Sequence, residues 1–486
     1  MDKISINNFL LQNQLPSSSA IISADKTFTY NQLSRKSGSI KKHFSEQGVN
    51  ENVFVGIFGE HTVEFVLSVL ALWKLGAIPV LLNPKITQNE LNDSLQSAKC
   101  STIVGSENQL EKYSFAEQKF ITIPTDLSES ADEEKNREII PGKTAAIIFT
   151  SGSSDKPKGF KLSFNSFYQS GLIGDTILKH SAGDKWLASL PFYHVGGFSI
   201  LTRALLFSAP VIIPNSIQTD DLIKSITQFN PTLISFVSTQ LKRIVEKRFK
   251  PNPELKNVLL GGGYISNELV EDALKLGWKI TKVYGSTETA SFVTALSPKE
   301  FILKPGSAGK PIAPNKIIIV DENNNTVAKN ITGEVLICSP SLMQGYLNEQ
   351  DEDETKKEYF HSNDIGFVDD DGYLFLDSRK SDLIISGGEN INPLEVEKEI
   401  IQHSAIRETV VFPIKNDEWG ETVAAAIILE EGINNFKVEE LSTYLKNKLA
   451  SFKIPKYFFI EKELPKTDLG KVEKKKLVDK LSAANP

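Results

Sequence analysis

The sequence predicts a layered α/β domain carrying a β subdomain, followed by a small α+β domain. Three observations support that class. Short β-rich runs alternate with helical segments through most of the chain, turn-separated strands come next, and after "SRKSDLIISGGEN" the pattern changes to helix, strand, strand, helix. With 486 residues and 40% hydrophobic content the chain exceeds a single core, so two or three domains are expected.

The runs "VFVGIFG", "STIVGS", "AAIIFTS", "PVIIP" and "TLISFVS" are short, rich in β-branched residues and bounded by Gly, Pro or Ser, as buried strands are. Between them, "TVEFVLSVLALWKLG" and "DDLIKSITQF" have helical spacing, and the alternation implies parallel sheets. The later segments "KIIIVDENNNTV", "GEVLICS" and "GYLFLDS" read as strands of an antiparallel subdomain. Beyond Ser381, "PLEVEKEIIQHS", "RETVVFPI", "TVAAAIILE" and "KVEELSTYLKNKLASF" read as the small second domain, which divides the chain into residues 1–380 and 381–486. The closing run "KVEKKKLVDK" reads as a solvated helix face.

A net charge of −7 gives no chain-wide basic field for nucleic acid or anionic lipid, and points to small-molecule chemistry. Cys100 and Cys338 lie far apart, without the spacing of a zinc site or a disulfide framework, and read as core thiols in a reducing cytosol. The N-terminus lacks the apolar core of a signal peptide, and the stretch "FVLSVLALWKLGAIPVLL" is interrupted by Lys74, Gly76 and Pro79. The expectation is a soluble cytoplasmic protein with no nucleic-acid or membrane partner.

Chemistry enters at "FTSGSSDKPKG", residues 149–159. Gly152 permits close backbone approach to an anion, the hydroxyls of Thr150, Ser151, Ser153 and Ser154 can donate to phosphate oxygens, and Lys156 and Lys158 supply charge. A polyphosphate is the natural ligand, although a polar surface loop has the same composition. The Walker pattern fails, because Pro157 stands five residues beyond Gly152, and an ordinary kinase or ATPase reading loses its support.

Four further motifs follow: "LPFYHVGG" at 190–197, "YGSTET" at 284–289, "NDIGFVDDDGYLFLDSRKSDLIISGGENINPLEVE" at 363–397 and "LPKTDLGKVEKKKL" at 464–477. Together with the first, in this order and spacing, they resemble the adenylate-forming superfamily of acyl-CoA synthetases, adenylation domains and luciferases. The resemblance runs from "FTYNQL" at 28–33 to the C-terminal lysines. It implies a reaction in two steps, with ATP, Mg2+ and coenzyme A: a carboxylate attacks the α-phosphate of ATP, and a thiol then displaces AMP. The 149–159 loop would grip the β- and γ-phosphates.

The resemblance also implies residue roles. Glu288 matches the magnesium-binding glutamate, as a hard cation bridging phosphates requires a carboxylate. Gly261, Gly262 and Gly263 in "LLGGGYIS" resemble the turn that passes the adenine, with Tyr284 as a stacking platform and Gly285, Ser286 and Thr287 beside it. Asp364 resembles the aspartate on the ribose hydroxyls, and Arg379 the arginine that contacts ribose or phosphate near the hinge; Ser378 replaces the usual glycine before it, but the cation is kept. Lys471 matches the lysine that bridges the attacking carboxylate and the α-phosphate, where a cation lowers the barrier electrostatically. It lies in a segment resembling one that lysine acetylation switches off in relatives, by removing that charge.

His194 matches a residue lining the acyl pocket and thiol tunnel, and Gly387 and Gly388 match the loop reaching the pantetheine after the small domain rotates. Ser381 stands at the hinge, where many relatives have Asp or Lys. Within the superfamily, the 378–397 segment, the compact length and "YGSTETAS" resemble the branch that activates o-succinylbenzoate for menaquinone biosynthesis. Ser238 and Thr239 in "FVSTQLKRI", and Ser286, would line that acid's pocket. Arg203, in the apolar context "GGFSILTRALLFSAP", either faces the second carboxylate of a dicarboxylic acid, or caps a helix or pairs with a local Asp or Glu. Other aryl or fatty acids, a carrier-protein thiol, luciferase-like oxygen chemistry and a catalytically silent nucleotide sensor stand as alternatives, and a homodimer as an expected assembly.

Overall fold

A computed structural model describes residues 4–482 except 116, 125–137, 151–156, 264, 348–357, 380–382, 387–388, 417–419, 434, 447, 468–469 and 471. The chain folds as two compact units, one of Met1–Lys316 with Cys338–Phe360, the other of Ile317–Ile337 with His361–Pro486.

The first unit holds two mainly parallel sheets. In the seven-stranded sheet, Phe54–Phe58, Ile78–Leu82, Thr102–Gly105, Lys119–Thr122 and Thr144–Thr150 run parallel, and Lys158–Ser163 returns antiparallel to Thr144–Thr150. Their sequences are continuously apolar because both faces are covered: Val55, Ile57, Val80, Leu81, Ile147 and Ile148 are all buried. The long apolar stretch that Gly76 and Pro79 interrupt divides accordingly. Residues Val63–Leu75 form a helix capped by the Thr62 hydroxyl and ended by left-handed Gly76 (φ 78°), and Ile78–Leu82 forms the next strand. Every residue from Val63 to Trp73 except Glu64 is buried, and Trp73 Nε1 donates to Ala145 O at 2.8 Å, tying helix to sheet. Among the described residues no helix is long and apolar enough to cross a membrane.

The nine-stranded sheet centres on four neighbouring parallel strands, Trp186–Leu187, Leu233–Phe236, Asn257–Leu260 and Ile280–Ser286, with Ser291–Leu296 folded back antiparallel on the last. Asp184 anchors the first of them. Its carboxylate accepts from Ser181 N at 2.7 Å and Thr232 Oγ1 at 2.9 Å and lies 2.7 Å from Lys256 Nζ.

The second unit holds two further sheets. The expected β subdomain is the four-stranded sheet Lys316–Val320, Gly333–Cys338, Phe360–Val368 and Leu374–Arg379. The other pairs Glu389–Ile391, Ile384–Ser386, Gly420–Leu429 and Ile406–Asn416 antiparallel, and Tyr457–Ile460 joins Gly420–Leu429 parallel. Helices Pro393–Ile401 and Val438–Lys446 bury Val396, Ile400, Leu441 and Leu445 in a core with Val411 and Ile427. The lysine-rich run forms helix Lys474–Ser482, whose Leu477 and Leu481 pack in a cluster with Val410 and Phe412, so only its other face can be solvated.

Burial pushes the Asp184 carboxyl up, but Lys256, the Ser181 amide and the Thr232 hydroxyl together hold it below the usual aspartate range. A depressed folded pKa contributes stability above the unfolded value of about 3.9, which is lost as pH falls through the folded value. Asp184→Asn is therefore expected to lower the melting temperature at pH 7 and to flatten its fall between about pH 5 and pH 3; thermal melts across that range check it.

Candidate functional site

The hairpin Thr144–Thr150/Lys158–Ser163 is in register with Thr150 opposite Lys158, so the hydroxyl-rich loop leaves the sheet at the C-terminal end of a parallel strand. Crevices at such ends are where open α/β sheets bind ligands. Ser151, Gly152, Ser153 and Ser154, with Lys156, lie outside the described residues. Lys158 is exposed at the loop's far end, its ammonium 5.3 Å from the centre of the Tyr346 ring.

Most of the other sequence-predicted residues of this unit emerge at one edge of the nine-stranded sheet. His194 follows Trp186–Leu187, Ser238 and Thr239 open the helix Ser238–Glu246 after Leu233–Phe236, Gly261–Gly263 follow Asn257–Leu260, and Tyr284, Gly285 and Ser286 end the next strand. The glycine turn lies tight against its neighbour: a Cβ at Gly261 would stand 2.9 Å from Val283 Cγ2, and Gly262 has φ +87°. Gly263, by contrast, faces open space. A flat ring can approach backbone here, as an adenine would require.

Glu288 sits half-buried on the turn between strands Ile280–Ser286 and Ser291–Leu296, where Ala290 (φ 52°) and Ser291 (φ 127°) take conformations that side chains disfavour. Hydroxyls hold that turn. Thr289, fully buried, accepts from Ser286 N at 3.0 Å and donates to Ser291 O at 2.6 Å. Ser341 Oγ donates to Thr289 O at 2.9 Å, Ser170 Oγ to Ala290 O at 2.8 Å and Ser199 Oγ to the same carbonyl at 3.3 Å, while Glu288 O accepts from Met343 N at 2.7 Å. The sequence reading missed all these anchors. Thr289 closes the quoted motif and could have been found; the serines come from distant segments and carry no local signal. Among the described residues no three of His, Cys, Asp or Glu gather into a metal cage. Glu288 supplies one carboxylate, and a hard cation there would take its other oxygens from phosphate and water.

Arg203 is completely buried on helix Val195–Phe207. Of the structural alternatives, neither is found: among the described residues no carboxylate pairs with it, and its one hydrogen bond goes to a side-chain hydroxyl rather than to a helix-end carbonyl. Its Nη2 donates to Ser170 Oγ at 3.2 Å, its guanidinium lies 4.8 Å from the centre of the Phe292 ring, and its Nε has no partner. Burial pulls its pKa down to about 9, which leaves it charged at neutral pH.

His194 is half-buried at the start of helix Val195–Phe207 and makes no cap bond with its side chain; the Tyr193 ring lies 4.5 Å from its own. A second histidine that the sequence reading missed supports this segment. His61 stacks on Phe192 at 4.6 Å, its Nε2 lies 2.8 Å from Leu190 O, and burial pulls its pKa to about 4, keeping it neutral.

In the second unit, strand pairing sets Asp364 directly opposite Arg379. Asp364 is buried, and its amide donates to Ser362 Oγ at 3.0 Å. Ser381, Gly387, Gly388 and Lys471 lie outside the described residues.

Residues 11–347 match the AMP-binding enzyme family, and residues 395–471 match the AMP-binding enzyme C-terminal domain. The chain is 32% identical to the 2-succinylbenzoate–CoA ligase of Bacillus subtilis (strain 168) over 480 residues, 97% of each chain, and 30% identical to that of Listeria monocytogenes serovar 1/2a over 475 residues, 96% of this chain and 97% of the other. Among solved structures it is similar, at 29% identity, to the o-succinylbenzoate coenzyme A synthetase of Bacillus subtilis. The complex of that protein with its acyl-adenylate intermediate OSB-AMP has a TM-score of 0.87, covering 97% of both chains. The complex with ATP and magnesium ion also has a TM-score of 0.87, covering 97% of this chain and 99% of the other.

Thr289→Val keeps the volume but removes the hydroxyl that closes the Glu288 turn. We expect a folded protein whose half-saturating Mg2+ concentration for pyrophosphate release from ATP rises about tenfold. A magnesium titration of that release checks it.

Proposed function

The chain belongs to the AMP-binding enzyme family, and we propose that it joins o-succinylbenzoate to coenzyme A, a step of menaquinone biosynthesis, at the expense of ATP. It is an AMP-forming acid–CoA ligase. The observation that carries the choice of acid is Arg203, a buried cation without a carboxylate partner among the described residues.

In the first half-reaction a carboxylate oxygen of the acid bonds to the α-phosphorus, the bond from that phosphorus to the bridging oxygen breaks, and pyrophosphate leaves. Thr150, Ser151, Gly152, Ser153, Ser154 and Lys158 are assigned to the β- and γ-phosphates. Gly261–Gly263 and Tyr284–Thr287 are assigned to the adenine and its phosphate, Asp364 to the ribose and Arg379 to the ribose or a phosphate. Glu288 would hold Mg2+, which when bound offsets charge on the phosphates. Lys471 is assigned to the point where the attacking carboxylate meets the α-phosphate. Ser238, Thr239, Ser286 and His194 are assigned to the acid, and Arg203 to its second carboxylate.

In the second half-reaction the thiolate sulfur bonds to the acyl carbon and AMP leaves, the thiol proton passing to solvent. We assign Gly387 and Gly388 to the pantetheine arm and Ser381 to the pivot between a domain of residues 1–380 and a mobile domain of 381–486. A cytoplasmic setting, where ATP and coenzyme A are at hand, and a homodimer complete the proposal.

With ATP, Mg2+ and coenzyme A, pyrophosphate and thioester are expected with o-succinylbenzoate and not with benzoate or medium-chain fatty acids. Preference for another acid overturns the assignment of substrate; pyrophosphate without thioester points to a carrier thiol or oxygen instead. Arg203→Gln should raise KM for o-succinylbenzoate at least about tenfold, as loss of a charged hydrogen bond does, with little change in KM for ATP. Lys471→Ala should abolish pyrophosphate release while ATP binding, read by calorimetry, persists.

A further inference from the structure

The hydroxyl of Ser170 stands between two groups that the reaction uses separately. It comes from helix Phe164–Leu178, is buried, and makes two bonds: it donates to Ala290 O at 2.8 Å and accepts from Arg203 Nη2 at 3.2 Å. A hydroxyl has one proton to give, so its donation to Ala290 O commits it to receiving from Arg203. A charged donor polarises the hydroxyl and strengthens the bond it makes onward. That onward bond ends on a left-handed, fully buried alanine two residues beyond Glu288.

We propose that Ser170 is a positioning residue that couples the acid-recognising Arg203 to the turn that holds Glu288. The inference rests on the assignments of Arg203 to the acid's second carboxylate and of Glu288 to Mg2+. When that carboxylate engages the guanidinium, the change in its orientation passes through one hydroxyl to the carbonyl that restrains the metal-binding turn. Acid recognition and metal binding then depend on each other, and an acid lacking the second carboxylate leaves the turn less well held. By reciprocity, bound metal should tighten the acid by the same factor.

The geometry supplies its own control. Ser199 Oγ donates to the same carbonyl, at 3.3 Å, but has no bond to Arg203. Loss of either serine loosens the turn; only loss of Ser170 also releases the arginine. Plain structural damage would not separate the two variants in this way.

The test measures pyrophosphate release by the full-length wild type, Ser170→Ala, Ser199→Ala and Ser170→Ala/Arg203→Gln, varying o-succinylbenzoate and Mg2+ independently. Ser170→Ala is expected to raise both KM for the acid and the half-saturating Mg2+ concentration about tenfold; Ser199→Ala is expected to raise only the second. In the double variant the effects on KM for the acid should fall short of the product of the single effects, because both changes break the same contact. A folded Ser170→Ala protein with both constants unmoved overturns the coupling, and so does a Ser199→Ala protein that shifts KM for the acid equally. Ser170→Cys keeps the shape with a weaker donor and should give a smaller shift in the same two constants; it carries the test should the alanine variant not fold. A wild type silent with o-succinylbenzoate overturns the functional reading and the acid arm of the coupling with it, whereas an active wild type with unmoved variants overturns the coupling alone.

Discussion

Much of the first unit's candidate site follows from the shared edge at which four buried parallel strands stop. Strands covered on both faces have no water to satisfy the amides and carbonyls that lose partners at their ends. Cross-links between neighbouring ends meet that need: Ser189 Oγ donates to Ser235 O, Gln240 Nε2 to Ser189 O at 2.8 Å, and Gly261 N to Phe236 O at 3.2 Å. The loops that leave this edge therefore start from fixed points. His194, Ser238, Thr239, Gly261–Gly263 and Tyr284–Ser286 converge through this edge, although as many as 92 residues separate them along the chain.

The turn bearing Glu288 shows how a strained conformation persists there. A non-glycine residue held at positive φ costs on the order of 1–3 kcal/mol, and Ala290 and Ser291 both have positive φ. A typical buried hydrogen bond contributes roughly 0.5–1.5 kcal/mol net. The hydroxyls of Thr289, Ser341, Ser170 and Ser199 all bond to this turn, so their sum is comparable with the strain. The strain is thus offset locally, and Glu288 is held by a framework of short side chains that have little rotamer entropy to lose.

Much of this was legible in the sequence, for identifiable reasons. Strand and helix alternate visibly because parallel strands buried on both faces must be continuously apolar, and the helix Val63–Leu75 could be separated from a membrane span because Gly76 ends it. Five motifs in order sufficed for the family, since each is a run of adjacent residues. What stayed hidden depends on packing. No local signal marks Ser341 or Ser170 as anchors of a turn more than 50 residues away in sequence, or His61 as the support of Leu190. The partners of Arg203 also lay outside the sequence, because they turn on which residues the fold brings near the guanidinium. Likewise, Leu477 and Leu481 give the lysine-rich run a buried face that its charge conceals.

Arg203 then poses an electrostatic problem that the described residues answer only in part. Withdrawing a cation from water costs several kcal/mol even after relaxation. Against that, the Phe292 face contributes about 2 kcal/mol, and one hydrogen bond to a charged group roughly 1.5–3 kcal/mol. Nε gains nothing, and burial has already lowered the pKa to about 9 without discharging the group at neutral pH. An anionic ligand would close the gap. A monocarboxylic acid has no carboxylate to spare, because its only one must attack phosphorus; a dicarboxylic acid can satisfy the arginine with one and react with the other. On the proposed assignment of Arg203 to the acid's second carboxylate, its charge would act as a filter on substrate class, favouring the acid whose second carboxylate recovers the desolvation cost.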